Sequence, residues 1–258
     1  MLIKRGLICF VLVVILIGAY VLFFVNAQNL DIKQKLTNGV LYYNDENKKY
    51  EIPTKQAISS AEKVALSIGL VPEGKVPIYL KDNSSFEKIY NSNMIGAYYD
   101  AKKNNISVLV KEGQIPIDFK NRIAHEYGYF IFISRLKSQN VSASDFPRWF
   151  HEGLASYIAK NEEFKKDKIN FPFIEFNNLR TAEQFEKQTR RPGDPFIQSQ
   201  FAIEQIIDAG GKMAVIHIVE KIKQGMNFNK ALRETTHLNE QQFKQTIVKR
   251  ITEYSKSK

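Results

Sequence analysis

The stretches RIAHEYGYFIF (122–132) and FPRWFHEGLASYIA (146–159) decide how this chain is read. Each is apolar with helical spacing, and each carries one His-Glu dipeptide: His125-Glu126 in the first, His151-Glu152 in the second. The chain holds four histidines, so two of them in such settings form its strongest chemical signal. Residues i and i+4 share a helix face, which sets Tyr129 beside His125. Trp149, Phe150, Leu154 and Ile158 are expected to hold the second helix in a core. Gly153 and Ala155 are small enough to let a neighbour come close.

Downstream of residue 116 the apolar spacing stays helical. It predicts helices at 117–138, 147–160, 195–209, 211–224, 227–235 and 239–256, with 161–194 mostly loop around a short helix at 181–188. Upstream, shorter apolar runs between turn residues predict strands at Val40–Tyr43, Val76–Leu80, Ile95–Tyr99 and Ile106–Val110. Residues 29–36 read as a tether, 44–49 as a polar turn, and Tyr50–Ile52 as a returning strand. Helices are expected at 54–70 and 86–90. Strands first and helices later predict an α+β fold, a small mixed or antiparallel sheet packed on a mainly helical half. The chain thus divides into an N-terminal membrane anchor or signal peptide (1–28), a strand-rich part (29–115) and a helical part (116–258).

Leu7 to Val25 carries no charged residue and follows Lys4 and Arg5. That length is close to the roughly 20 residues that span a bilayer, and the charge bias predicts a cytoplasmic N-terminus. The expectation is a single-pass membrane protein anchored by residues 7–25 with its body outside. The alternative is a protein secreted after cleavage near Ala27. The one cysteine, Cys9, lies in this apolar run, so the remainder has no disulfide and fits a bacterial exported protein. Of the +10 formal charge, two positive charges and no negative ones fall in residues 1–28, which leaves +8 for the body. A basic exterior suits an anionic cell envelope. No basic run interleaved with aromatics is present, which argues against nucleic acid as a partner.

Two histidines at i and i+4 can direct both imidazoles at one metal, with a glutamate at i+1 near its bound water. Catalytic zinc takes three protein ligands and keeps one position open. Here His125 is the first ligand candidate, Glu126 the general base, and Glu152 on the second helix the natural further ligand.

The chain resembles the gluzincin metallopeptidases of the MA-like group. The resemblance rests on AHEYGYF (124–130) and PRWFHEGLASY (147–157). It continues through IQSQFAIEQI (197–206), AGGK (209–212) and MNFNKALRET (226–235), and covers about residues 75–250. It implies a strand-lined cleft over the zinc helix, Zn2+ as cofactor, Glu152 as the glutamate ligand, and a peptide or protein substrate. Two positions depart from the pattern. Tyr129 stands in place of the second histidine, and Phe196 stands where a tyrosine often precedes the Gln-Ser pair. Tyr129 as a phenolate ligand would preserve a zinc peptidase. Without it, the same cleft would belong to an inactive pseudopeptidase that binds a peptide or an envelope partner. His151 cannot readily replace the missing ligand, because adjacent helix residues point about 100° apart.

Overall fold

The computed structural model describes residues 32–82, 96–110, 116–159, 171–189 and 194–256. Five strands, β1 (Ile32–Leu36), β2 (Gly39–Tyr43), β3 (Val76–Lys81), β4 (Ala97–Asp100) and β5 (Asn105–Leu109), form one mixed sheet in the order β1-β2-β3-β5-β4. β1 and β2 form an antiparallel hairpin, β2, β3 and β5 run parallel, and β4 closes the far edge antiparallel to β5. A parallel pair needs a long crossover. Between β2 and β3 that crossover is helix α1 (Glu51–Ser67).

The remaining described helices are α2 (Pro116–Ser138), α3 (Arg148–Ala159), α4 (Ala182–Thr189), α5 (Pro195–Gly210), α6 (Ala214–Lys223), α7 (Phe228–Thr236) and α8 (Glu240–Lys256). The sheet is half-buried, as the alternating burial of β2 and β3 shows. Leu41, Tyr43, Val76, Ile78, Leu80, Ile106 and Val108 turn inward to the core, where α2 packs on β4 and β5. α2 is the centre of the molecule. Phe119, Ile123, Tyr127, Phe130 and Ile131 on it are wholly buried.

Two glycines set the spacing of the helical layer. A Cβ on Gly128 of α2 would lie 3.1 Å from Ala155 Cα of α3, and one on Gly153 of α3 would lie 2.2 Å from the Ser199 carbonyl of α5. α3 is therefore clasped between α2 and α5 with backbone nearly touching backbone on both sides. Interiors packed to that density leave no slack for an added methyl group.

Several sequence expectations change. The expected N-terminal membrane helix and single-pass topology do not stand. Among the described residues no helix is long and apolar enough to cross a membrane, and the apolar run 7–25 lies outside them, as does the helix expected at 86–90. Residues 32–36 form an edge strand rather than a tether; its two lysines disguise a run whose Leu36 reaches the core. Residues 44–49 wind into a 3-10 turn capped by the Asn44 side chain. Tyr50–Ile52 is no strand but the entry to α1, where Pro53 sits in the first turn and sacrifices no helical hydrogen bond.

Candidate functional site

α2 and α3 cross where their small residues meet, and this crossing brings the two sequence signals together. His125 Nε2 donates to Glu152 Oε2 at 3.2 Å. The other ring nitrogen, Nδ1, lies 3.5 Å from the hydroxyl of Ser156, one turn beyond Glu152 on α3. Glu152 is buried, while His125, Glu126 and Tyr129 are partly exposed at the junction of the two helices with β4, the place where the resemblance implies a cleft.

The second carboxylate oxygen of Glu152 is also taken. Arg148, one turn earlier on α3, places Nε at 2.7 Å and Nη2 at 2.5 Å from Oε1. Its guanidinium also lies 5.3 Å from the centre of the Tyr129 ring, a cation–π contact. Arg148 was not among the residues singled out from the sequence. Its i, i+4 spacing to Glu152 was the available signal.

The electrostatics follow from these contacts. Burial alone would raise the Glu152 pKa, but the hydrogen bond from His125 and the charge of Arg148 overrule it and bring it down to about 2. Burial would lower His125, yet the hydrogen bond to Glu152 and the charges of Glu126 and Glu152 raise it. Burial raises Glu126, and the nearby Glu152 charge adds to the effect. Tyr129 is pushed well above its ordinary value by burial and then by the Glu152 charge. Its hydroxyl is enclosed beside Glu152 and, among the described residues, completes no well-formed hydrogen bond.

Glu126 reaches the sheet edge. The Leu109 amide donates to the Gly96 carbonyl at 2.9 Å, which fixes the alternation of the antiparallel β4–β5 ladder. Tyr98 then pairs with β5, while the backbone groups of Ala97 and Tyr99 face outward. The outward Tyr99 N–H donates to Glu126 Oε2 at 2.8 Å. Among the described residues no strand covers this edge.

His151 turns away from the cleft. Its Nε2–H donates to the Ala143 carbonyl at 3.0 Å, and its ring lies parallel to Tyr129 at 6.3 Å. Burial lowers its pKa to about 4, so it is neutral. Phe196 does reach the site, 6.3 Å from the His125 ring and edge-on to Phe185, but it offers no hydroxyl. Beside it, the buried Gln198 side chain donates to the Ile174 carbonyl at 2.6 Å and accepts from the Ile174 N–H at 2.8 Å, tying the 171–175 segment to α5.

Do these residues fit a resident zinc ion? His125 and Glu152 sit close enough to share one metal. Catalytic zinc needs a third protein donor. Tyr129 is the residue in place, and burial beside Glu152 raises its pKa well above the ordinary value. Arg148 meanwhile supplies Glu152 with the positive charge that a metal would bring. Among the described residues no group of three or more His, Cys, Asp or Glu side chains could hold a metal ion. Among the described residues His125 and Glu152 are two donors, one short of the three that catalytic zinc takes. What the arrangement provides instead is a self-neutralised cleft: two carboxylates, one guanidinium and a histidine biased toward its charged form.

No family model matches the chain. It is 24% identical over 234 residues to the "Uncharacterized protein YhcO" of Bacillus subtilis (strain 168), an alignment that covers 86% of this chain and 72% of the relative. That similarity marks YhcO as a distant relative and carries no activity with it.

Proposed function

We propose that this chain is a gluzincin-like domain that binds an extended peptide in the cleft without hydrolysing it. The observation that carries the reading is the Arg148–Glu152 pair. A guanidinium holds the carboxylate that a metal would need, and Tyr129 offers no ionised donor to complete a ligand set. Peptide binding is supported by the β4 edge, where the Ala97 backbone groups and the Tyr99 carbonyl face outward beside the Tyr99–Glu126 bond. An extended segment can add to such an edge through main-chain hydrogen bonds.

One observation favours the alternative, a zinc-dependent peptidase. The 3.2 Å between His125 Nε2 and Glu152 Oε2 is close to the separation of two ligands about 2.0–2.2 Å from one tetrahedral ion.

The test uses the full chain. After incubation with zinc and desalting, metal content is read by elemental mass spectrometry, and immobilised peptides are scored for binding and for cleavage. The expected result is no stoichiometric zinc, with peptides bound and left intact. Binding should weaken in Ala97→Pro, which removes an outward N–H and no ladder bond. About one zinc per chain, lost in Glu152→Ala, with cleavage lost in Glu126→Gln, would establish the peptidase instead.

A further inference from the structure

A cavity lies away from the Arg148–Glu152 pair and is lined by none of His125, Glu126, Tyr129 or Glu152. It opens where the start of α3, the 3-10 turn at Phe176–Leu179, α7 and the start of α8 meet, and its volume is about 580 Å³. Small-molecule sites run to about 300–1,000 Å³, so this one has the size for such a ligand.

Its floor is aromatic. Trp149 and Phe176 lie 4.7 Å apart between ring centres, and Phe243 lies 5.7 Å from Phe176. These three rings offer flat faces for an apolar or ring-shaped body. Trp149 is 4% exposed.

The rim is cationic. Arg180, Lys230 and Arg233 line the cavity against one acidic residue, Glu240. Lys230 already faces Glu234 at 3.9 Å. Arg180 and Arg233 have no ion-pair partner among the described residues. Planar guanidinium groups match a carboxylate with two parallel hydrogen bonds.

We propose that this cavity is a binding site for a small organic carboxylate with an aromatic or apolar body. The body rests on Trp149, Phe176 and Phe243, and the carboxylate meets Arg180 and Arg233. This site is independent of the function proposed for the cleft.

Trp149 is the chain's single tryptophan, so its emission reports on the cavity directly. The full chain is titrated with 4-phenylbutyrate, its neutral amide and inorganic phosphate, with excitation selective for tryptophan and with calorimetry in parallel. The expected result is a saturable change with 4-phenylbutyrate, at an affinity about tenfold tighter than for the amide, as befits charge-assisted hydrogen bonds. Phosphate should produce no comparable effect. In Arg180→Ala/Arg233→Ala, whose altered side chains are exposed, calorimetry should show the carboxylate reduced to the level of the amide. Equal binding of acid and amide would overturn the proposal by showing an apolar hollow. Equal binding of phosphate would overturn it by showing a generic cationic patch. No saturable change with any of the three would overturn it outright.

Discussion

Arg148 and Glu152 sit one helical turn apart on α3, and the guanidinium holds Oε1 of the carboxylate with Nε at 2.7 Å and Nη2 at 2.5 Å. The pair determines the chemistry of the cleft, because Glu152 has His125 on its other oxygen. Both oxygens of the carboxylate are thereby engaged within the protein.

Removing the guanidinium should expose that dependence. Arg148→Ala leaves Glu152 buried with a single partner. The expected cost is about 1–2 kcal/mol of stability, below the roughly 3–5 kcal/mol of a fully buried pair, because the Arg148 side chain is 39% exposed and water replaces part of it. Urea denaturation measures this. Zinc affinity, followed by calorimetry, should rise in Arg148→Ala/Tyr129→His and stay weak in Tyr129→His alone. Tight zinc binding by Tyr129→His alone would show that Arg148 does not oppose the metal.

Gly153→Ala should be the most damaging conservative change in α3. The new methyl group would lie 2.2 Å from the Ser199 carbonyl, and backbone cannot yield as a flexible side chain does. Overpacking of this kind costs about 1–3 kcal/mol. A lowered thermal midpoint with unchanged secondary structure is the expected readout. Alanine in helices is otherwise stabilising relative to glycine, so an unchanged or raised midpoint would mean that α3 and α5 can part.

His151 should make the fold acid-sensitive. Its folded pKa, about 4, lies below the ordinary histidine value, through burial. Stability from the neutral ring is therefore fully present above about pH 6.5, its unfolded value, and is lost as pH falls toward 4. The full loss amounts to about 3 kcal/mol on that linkage. His151→Gln can still donate to the Ala143 carbonyl and should flatten the stability profile between pH 6.5 and 4. The same slope in the variant would assign the effect to other groups.

Glu126 should act in the opposite sense. Burial raises its pKa, so its favourable neutral form is present below the unfolded carboxyl value and is lost as pH rises through the folded one. Glu126→Gln keeps an oxygen for the Tyr99 N–H and has no charge to bury. Its stability relative to wild type should grow from pH 4 to pH 8 in paired denaturation curves. A variant less stable at pH 8 would mean that the ionised carboxylate is needed to hold β4.

Much of this fold is legible from periodicity. The long amphipathic runs at 117–138, 195–209 and 239–256 fall close to α2, α5 and α8, because buried faces repeat at the helical period. β1 is obscured because an edge strand can carry Lys33 and Lys35 on its open side. The start of α1 is obscured because Tyr50 to Pro53 reads as strand and turn until the helix that follows is seen to begin there. In the site, His125 and Glu152 are paired by the crossing of α2 and α3, which two small residues in sequence only hint at. The bond from Tyr99 to Glu126 joins an edge strand to a helix and leaves no trace in residue spacing. The i, i+4 spacing makes an Arg148–Glu152 pair available, but not the contact of the same guanidinium with the Tyr129 ring.

The clasp of α3 between Gly128 and Ser199 also governs how the protein exchanges its hydrogens. From Trp149 to Ser156 every residue of α3 is buried, and neither neighbouring helix can withdraw without exposing the core. Its amides have no local route to solvent, so they exchange only when the whole domain opens. Deuterium uptake at α3 should therefore report the global unfolding free energy, while α8, with four buried residues along its length, should exchange through smaller, earlier openings. The carboxylate that Arg148 and His125 hold is thus carried by a helix whose amides open only with the domain.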